Sequence, residues 1–324
     1  MGIGTLLLLS SLVTAQAARI KPNGSPADSA IANNPKLTST VGPGAKGSVV
    51  LRAQILLDRA NYSSGEIDGS YGKNLRNTIK AFQKKHALPE NGVIAPETWR
   101  VLNMDAEPVL ISYTIVEEDT AGPFEKIPED MQAKSKLKAL GYESALEGLA
   151  EKFHCSPQAL TALNRGKRFN KPGETILAPN VETKPAQKAS KILVDASDNS
   201  VSAVSADGSV IAHFPATTGS EHDPLPAGTW KILGVSKLPV FHYNPKLFWD
   251  ADNSEEHAEI APGPNNPVGV VWISLSKPHY GIHGTPEPGK IGYTQSHGCI
   301  RLTNWDAAKL AEMVKAGTPA VLTE

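Results

Sequence analysis

The sequence predicts a multi-domain protein in which a small all-α three-helix bundle precedes an α/β module and a mostly-β domain of the sandwich or barrel type. Apolar residues recur at helical spacing over 47–105. A strand, two helices and a second strand are predicted over 111–181, and apolar and polar residues alternate between turn signals over most of 191–324. A chain of 324 residues is long enough for each part to bury its own core.

Charge and hydropathy argue against two kinds of environment. The chain has 32 Lys and Arg against 33 Asp and Glu, so its formal net charge is −1. Because nucleic-acid-binding proteins concentrate positive charge, this balance predicts no nucleic-acid partner. No apolar run beyond the N-terminus approaches the roughly 20 residues that cross a bilayer, so no transmembrane span is expected.

The N-terminus has features of an export signal. Residues 3–13 are largely apolar, and Ala15-Gln16-Ala17 is a small-x-small cleavage site, although no Lys or Arg precedes the apolar run. These features predict a signal peptide over residues 1–18 and an exported protein. Residues 19–46 are rich in Pro, Gly, Ser and Asn, which predicts an extended linker.

Residues 47–105 form the predicted helical bundle. The apolar positions that mark its three helices are Val49, Leu51, Ile55 and Leu56, then Thr78, Ile79 and Phe82, then Thr98, Trp99 and Leu102. The segment resembles the peptidoglycan-binding bundle found beside many cell-wall hydrolases, through Asp68-Gly69, Tyr71-Gly72, Ala81-Phe82-Gln83, Gly92, Thr98-Trp99 and Leu102. That resemblance implies peptidoglycan binding, and a helical spacer without a ligand is the alternative.

Residues 111–181 form the α/β module. The segment resembles a LysM carbohydrate-binding module through Tyr113-Thr114-Ile115, Leu149-Ala150, Phe153, Leu160, Leu163-Asn164, Pro172-Gly173 and Ile176-Leu177. It departs from that family by an insertion over 121–141, which puts glycan binding in question more than the fold. His154 and Cys155 lie in the turn between the helices and are predicted to be packing residues, since two groups do not complete a zinc site.

A second linker is predicted over 182–190, and residues 191–324 form the mostly-β domain. Its strands are separated by the turns Asp198-Asn199 and Asp207-Gly208. One helix pattern is predicted to begin with Asn304 as its N-cap and to end at Gly317. A terminal strand follows.

Nucleophilic chemistry is predicted at Cys299, which has three histidines within the preceding 20 residues. A thiol needs an adjacent base to become a nucleophile near neutral pH. His297 would lie about 7 Å from Cys299 along an extended segment, which is too far for a tight contact. His283 ends an apolar strand, and a hairpin-like return over a Pro- and Gly-rich loop would bring it opposite Cys299, so His283 is the better candidate for the base.

The segment HGTPEPGKIGYTQSHGCIRL, residues 283–302, closely resembles the signature of the YkuD-type L,D-transpeptidases. Upstream, TTGSEHDPLPAGTWKI and NNPVGVVWISL are also similar to that family, and the likeness extends over nearly all of 191–324. The resemblance implies an enzyme without a cofactor that acylates its Cys with a peptidoglycan tetrapeptide stem, releases the terminal D-Ala and transfers the acyl group to an amine of a second stem. Some members attach a lipoprotein instead. Carbapenem acylation, glycan strands as a partner and a periplasmic or wall-associated location are also implied.

The resemblance implies a role for each residue of the motif. Cys299 would be the nucleophile and His283 the base, with the Gly284 carbonyl holding the other imidazole nitrogen. His297, Gly298 and Cys299 would supply backbone N–H groups to an oxyanion hole. Arg301 would brace the site or bind a substrate carboxylate, while Ser296 and the His297 ring would support the loop. Gly284 stands where some relatives have Ser, and no loss is expected because only its carbonyl is used.

Four other interpretations stay open on the sequence. L,D-carboxypeptidase activity would result if water were the acceptor. A zinc site could be composed from the histidines and Cys299, but the loop contains one acid, Glu287, and no His-x-x-x-His pattern. A disulfide between Cys155 and Cys299 would abolish the nucleophile. The chain could also be a non-catalytic cell-wall-binding protein.

Overall fold

The structure is a computed structural model that describes residues 30–183, 186–252 and 254–324. The predicted signal peptide lies outside these residues. No helix within the described ranges has both the length and the apolar content that crossing a membrane requires.

The N-terminal region is a bundle of three helices, as predicted: α1 (Ser48–Arg59), α2 (Lys73–Lys85) and α3 (Pro96–Leu102). Leu57, Ile79 and Trp99 are among the side chains that the bundle buries almost completely. Helix α2 is amphipathic, with Leu75, Ile79 and Phe82 facing inward and basic residues facing outward. Helix α1 is instead buried over ten consecutive positions, because other parts of the chain pack against its remaining faces.

Part of the predicted first linker is packed rather than extended. Val41 is fully buried and exchanges two backbone hydrogen bonds with Ile94, at 3.1 and 2.9 Å. The Trp99 indole donates to the Ser39 carbonyl over 2.9 Å. Composition indicates a loop here, but these contacts fasten the loop to the bundle.

The second module has the predicted strand–helix–helix–strand order. Strands β1 (Leu110–Thr114) and β2 (Thr175–Pro179) pair antiparallel, and helices α6 (Ala145–Lys152) and α7 (Pro157–Leu163) lie between them in the chain. Ser144 and Ser156 cap these two helices by accepting hydrogen bonds from backbone N–H groups. The short helices α4 (Glu117–Thr120) and α5 (Met131–Lys134) precede them, and α5 belongs to the insertion. The identification with LysM stays a prediction.

The bundle and the second module share one apolar core, which the prediction of separate cores did not anticipate. Ile67, in the turn after α1, donates a backbone hydrogen bond to His154 over 2.8 Å and accepts one from Ser156 over 3.2 Å. Cys155 is 1% exposed between them and belongs to the same apolar cluster as Ile67. His154 bonds to Asp58 of α1 at 3.2 Å, so His154 and Cys155 are packing residues at a domain contact.

The C-terminal domain is mostly β, as predicted, and is built on a nine-stranded mixed sheet of order β5-β4-β3-β13-β7-β10-β11-β12-β6. These strands are β3 (Lys191–Asp195), β4 (Ser200–Val204), β5 (Val210–Pro215), β6 (Thr217–Thr218), β7 (Gly228–Lys237), β10 (Val271–Leu275), β11 (Gly281–His283), β12 (Ile300–Arg301) and β13 (Pro319–Thr323). Two of the pairings, β3 with β13 and β11 with β12, are parallel. A separate hairpin joins β8 (Phe241–Tyr243) to β9 (Ala258–Ile260).

The last helix, α8 (Asn304–Met313), differs from its predicted limits. Thr303, not Asn304, is the N-cap, and its side chain accepts a hydrogen bond from the Asp306 N–H over 3.2 Å. Asn304 instead turns toward the interior, where it is 2% exposed. The helix ends at Met313, before Gly317, because the chain becomes extended at Val314.

The bundle also docks directly on the sheet of the C-terminal domain. The backbone of His213 in β5 donates to Asn61 and accepts from Ser63, each over 2.9 Å. The Ser63 hydroxyl donates to the buried Asp306 carboxylate of α8 over 2.9 Å. These backbone and side-chain hydrogen bonds fix the bundle against the C-terminal domain.

Candidate active site

The candidate nucleophile and base lie on two neighbouring strands. Ile282 is opposite Ile300 and His283 is opposite Arg301 in the parallel pair β11–β12, so Cys299 directly precedes β12. The predicted hairpin-like return is therefore wrong, because an antiparallel return would give the opposite strand direction. The loop over 284–299 crosses over and re-enters the sheet parallel to β11.

Four of the seven predicted site residues line one cavity of about 650 Å³: Cys299, His283, His297 and Arg301. The other three predicted residues do not line the cavity: Gly284, Ser296 and Gly298. The cavity wall also contains Trp272 and Tyr280, to which the sequence assigned no role, and His279, which the sequence offered only as a metal ligand.

His283 is held as a neutral imidazole. Its Nδ1 lies 2.7 Å from the Gly284 carbonyl, which can only accept, so Nδ1 carries the proton and Nε2 is left as the acceptor. Trp272, opposite in strand register, stacks on the ring with centroids 5.4 Å apart. Burial, and secondly the Arg301 guanidinium, lower the pKa of His283 to about 3.

Cys299 is held as a neutral thiol. Burial raises its pKa above the ordinary value, against smaller opposing effects from the Gly281 backbone and Arg301. Its Sγ donates to the His279 carbonyl over 3.6 Å. The thiol must therefore turn from His279 toward the imidazole before its proton can be transferred.

The loop around Cys299 is fixed by short contacts. The Ser296 hydroxyl donates to the Cys299 carbonyl over 2.6 Å, and the Ser296 N–H donates to the Gly219 carbonyl over 3.0 Å. Gly298 has a φ of 91°, and a Cβ there would lie 2.7 Å from Tyr280. Only glycine fits this position, because any other residue would be strained at this positive φ and its side chain would collide with the Tyr280 ring.

The surroundings of Gly284 leave no room for a side chain. A Cβ on Gly284 would lie 2.1 Å from Asn304 Oδ1, which accepts from the Val270 N–H over 3.1 Å. The Asn304 amide also donates to Glu151 of the second module over 2.8 Å. Asn304 therefore fills the space behind the Gly284 carbonyl, and its role could not be found by treating it as a helix cap.

A flap over residues 241–252 and 254–260, which comprises β8, β9 and the described residues between them, packs against His297. The His297 Nε2 lies 2.7 Å from Asp250 Oδ1, and Phe248 packs edge-on against the ring with centroids 4.9 Å apart. The sequence predicts that His297 supports the loop, but its partners are remote in the chain. No motif marks them.

The positions of the side chains support neither the zinc site nor the disulfide that the sequence leaves open. Within the described ranges, no cluster of three or more His, Cys, Asp or Glu residues is arranged to hold a metal ion. Cys155 is buried in the shared core and Cys299 lies in the cavity beside His283, and both thiols are free. The two cysteines therefore do not form the disulfide that would block the nucleophile.

Comparisons with known proteins identify two domains. Residues 189–322 match the model of the YkuD L,D-transpeptidase catalytic domain, and residues 46–102 match that of a peptidoglycan-binding domain. The chain therefore carries an L,D-transpeptidase catalytic domain and a peptidoglycan-binding domain, as predicted. No such match supports the LysM assignment of the second module.

Individual relatives agree with this assignment over different lengths. The protein of Bacillus licheniformis named as the L,D-transpeptidase YkuD is 29% identical over 180 residues, which cover 55% of this chain and 93% of the relative. Its Bacillus subtilis namesake is 54% identical over 55 residues, 17% of this chain and 34% of the relative, so the chain spans about a third of that protein.

Solved structures with some likeness include two L,D-transpeptidases. The enzyme from Mycobacterium smegmatis has a TM-score of 0.34 and 22% identity, covering 48% of this chain and 76% of that one. The enzyme from Xylanimonas cellulosilytica has a TM-score of 0.36 and 18% identity, covering 86% of this chain and 95% of that one.

Proposed function

We propose that the protein is a cysteine-dependent L,D-transpeptidase that acts on peptidoglycan stem peptides. The observation that carries the proposal is the neutral His283, whose Nδ1 bonds to the Gly284 carbonyl while its ring lines the same cavity as Cys299. Such a pair performs acyl transfer without a metal or cofactor, because the imidazole moves a proton and the sulfur forms the covalent bond.

In the first half-reaction the Cys299 proton passes to His283 Nε2 as the sulfur attacks the carbonyl of the third stem residue. An S–C bond forms, the C–N bond to D-Ala breaks, and His283 returns the proton to the departing amine. His283 can serve as a base at neutral pH because burial keeps it unprotonated.

In the second half-reaction an amine of another stem attacks the thioester. The new C–N bond forms as the C–S bond breaks, and one amine proton passes through His283 to the thiolate. With water as acceptor the same site would act as an L,D-carboxypeptidase, and an amine on a lipoprotein would give protein attachment.

The remaining motif residues fit supporting roles in this scheme. The N–H groups of His297, Gly298 and Cys299 are the candidate donors to the oxyanion. Ser296 fixes the Cys299 carbonyl, which orients this stretch of backbone. Arg301 lies beside both reacting side chains and is the candidate partner for a donor carboxylate.

The two N-terminal parts are proposed to hold the enzyme on the wall. The peptidoglycan-binding domain supplies one contact with peptidoglycan, and the LysM-like module is a candidate for a second contact with glycan strands. Tethering raises the local concentration of stems without altering the chemistry. We accordingly propose export to the periplasm or the cell wall.

Incubation with a tetrapeptide stem and a carbapenem tests the proposal by mass spectrometry. We expect D-Ala release and a single carbapenem adduct on Cys299, both absent in Cys299→Ala. Cys155→Ala is the matched control and should retain both, because its sulfur lies in the shared core. D-Ala release by Cys299→Ala at the wild-type rate would contradict the proposal.

A further inference from the structure

We propose that the insertion over 121–141 of the second module forms the acyl-acceptor side of the catalytic pocket and favours a cationic amine as acceptor. The inference rests on the proposed function, since it concerns the second half-reaction of the same site. It assigns to the module a part in catalysis that is independent of any binding to glycan.

The insertion reaches the cavity that contains the nucleophile. Glu129, Asp130 and Met131 line the same 650 Å³ cavity as Cys299. Asp130 also caps helix α5, since its carboxylate accepts a hydrogen bond from the Ala133 N–H over 2.7 Å. Part of the cavity lining is therefore contributed by the second module.

The insertion also holds the flap. Helix α5 packs against strand β9, and the Gln132 side chain donates to the Glu256 carbonyl over 2.7 Å. The flap touches the nucleophile loop through Asp250 and His297. The insertion and the nucleophile loop thus contact the flap at separate points, and between them they set its position over the cavity.

The position of the insertion is itself fixed by the catalytic domain. Leu140 donates a backbone hydrogen bond to Pro262 and accepts one from Asn265, each over 3.0 Å. The Asn265 amide donates to the Gly141 carbonyl over 2.9 Å. A Cβ on Gly263 would lie only 2.0 Å from the Leu140 carbonyl oxygen. The two backbone segments are therefore so close that a side chain at Gly263 would collide with Leu140.

Negative charge exceeds positive charge in the lining of the cavity. Its lining contains two permanent cations, Lys246 and Arg301, and Arg301 lies next to Cys299 and His283. The five carboxylates of the lining are Glu129, Asp130, Asp223, Asp250 and Glu255. A cavity with an excess of negative charge raises the local concentration of cations, so an ammonium group is attracted and an anionic acceptor is disfavoured.

The attraction acts on the acceptor before the chemical step. The ammonium gives up one proton to solvent and attacks the thioester as a neutral amine, and its second proton passes through His283 to the departing thiolate. The insertion therefore selects the acceptor, whereas Cys299 and His283 make and break the bonds.

The test removes the two insertion charges by the double substitution Glu129→Gln/Asp130→Asn, which preserves side-chain size and leaves an amide oxygen that can still cap α5. Glu125→Gln is the matched control, because it removes a charge from an exposed residue of the same insertion outside the cavity. Three quantities are measured on the full chain. They are the rate of carbapenem adduct formation, the KM for a stem peptide with a free side-chain amine, and the rate at which hydroxylamine cleaves the thioester. Hydroxylamine serves as the neutral acceptor, because it is largely uncharged at neutral pH.

We expect the double variant to raise the acceptor KM about threefold at low ionic strength, with the difference lost in about 0.5 M salt. Adduct formation and cleavage by hydroxylamine should match wild type, and Glu125→Gln should change neither. An unchanged acceptor KM, or an equal rise in Glu125→Gln, would overturn the inference while leaving the transpeptidase proposal intact. A wild-type protein that forms no adduct and releases no D-Ala would overturn both.

Discussion

At the scale of single residues, the reacting pair is neutral at rest. Burial disfavours the charged form of each partner, so it raises the pKa of the Cys299 thiol and lowers that of the His283 imidazole. A preformed thiolate–imidazolium pair would require the opposite shifts. In the proposed reaction the proton therefore moves during the attack, when the substrate carbonyl receives the developing charge. This arrangement also protects the thiol from oxidation, since the thiolate is the form that oxidises most readily.

The pH dependence of alkylation tests this resting state. Because the thiol pKa is raised, the thiolate fraction of Cys299 grows only as pH approaches and exceeds the ordinary range for a thiol, so the iodoacetamide rate should rise continuously through pH 8. Cys155 is buried, with its pKa raised by desolvation, and should react only after unfolding. The native protein should thus show one reactive thiol and the denatured protein two. A rate already at its plateau between pH 5 and 8 would indicate an ion pair instead.

At the scale of elements, the flap restrains the nucleophile loop, although the two segments lie far apart in the sequence. The segment between β8 and β9 brings Asp250 to His297, which belongs to the nucleophile loop, at a separation of 47 residues. Trp249 packs on the same imidazole with centroids 5.8 Å apart. His297 belongs to the sequence motif, but the contacts that restrain its side chain come from the flap, which lies outside the motif.

Asp250→Asn tests whether this restraint matters for the reaction. The substitution keeps the shape and removes the charge that faces His297, and since Asp250 is half exposed we expect a loss of about 1 kcal/mol, or roughly fivefold in the rate of D-Ala release. Glu256→Gln is the control, an exposed flap residue whose side chain is not in the cavity lining. Equal rates for Asp250→Asn and wild type would show that the flap contact has no part in positioning the loop.

At the scale of the whole molecule, the domains are joined by buried polar contacts as well as by apolar packing. His154 bonds to Asp58 of the bundle and stacks on Trp305 of the catalytic domain, with ring centroids 5.2 Å apart. His213, 3% exposed, lies where the bundle docks on the sheet. The catalytic domain is therefore held by direct docking in addition to the chain connection over 182–190.

The buried His213 gives the docked state a measurable pH dependence. Burial lowers its pKa to about 4, so between pH 4 and about 6.5 the unfolded chain binds more protons than the folded one. The free energy of unfolding should then decrease as the pH is lowered through this window, by up to about 1.4 kcal/mol per pH unit. The pKa values of Asp306 and Glu151 are raised to about 7, which gives the opposite slope, so the histidine must be isolated by comparison with a variant.

Denaturant unfolding of wild type and His213→Asn at pH 7 and pH 4.5 makes that comparison. The carboxylate contributions are common to both proteins and cancel in the difference. We expect the variant to be less stable at pH 7 and the gap to narrow or reverse at pH 4.5. A gap that stays constant between the two pH values would show that His213 is not held neutral by the docked structure.

The amino-acid pattern was enough to predict the order of the three parts, the two recognised domains and the candidate pair Cys299 and His283. These features are local: helical and strand periodicity, turn residues, and a motif whose members lie within twenty positions of one another. The same local signals gave wrong results where long-range packing decides, as for the hairpin return and for Asn304 as a helix cap.

The enclosure of the cavity becomes visible only in the folded molecule. Asp250 and the insertion reach the cavity of Cys299 and His283 from distant parts of the chain, and each of them has an ordinary local pattern. The shared core of the bundle and second module likewise depends on surfaces that fit together, such as the Ile67 and Cys155 turns. Periodicity identifies the buried face of an element, but the partner of that face follows from shape and hydrogen bonding across the folded chain.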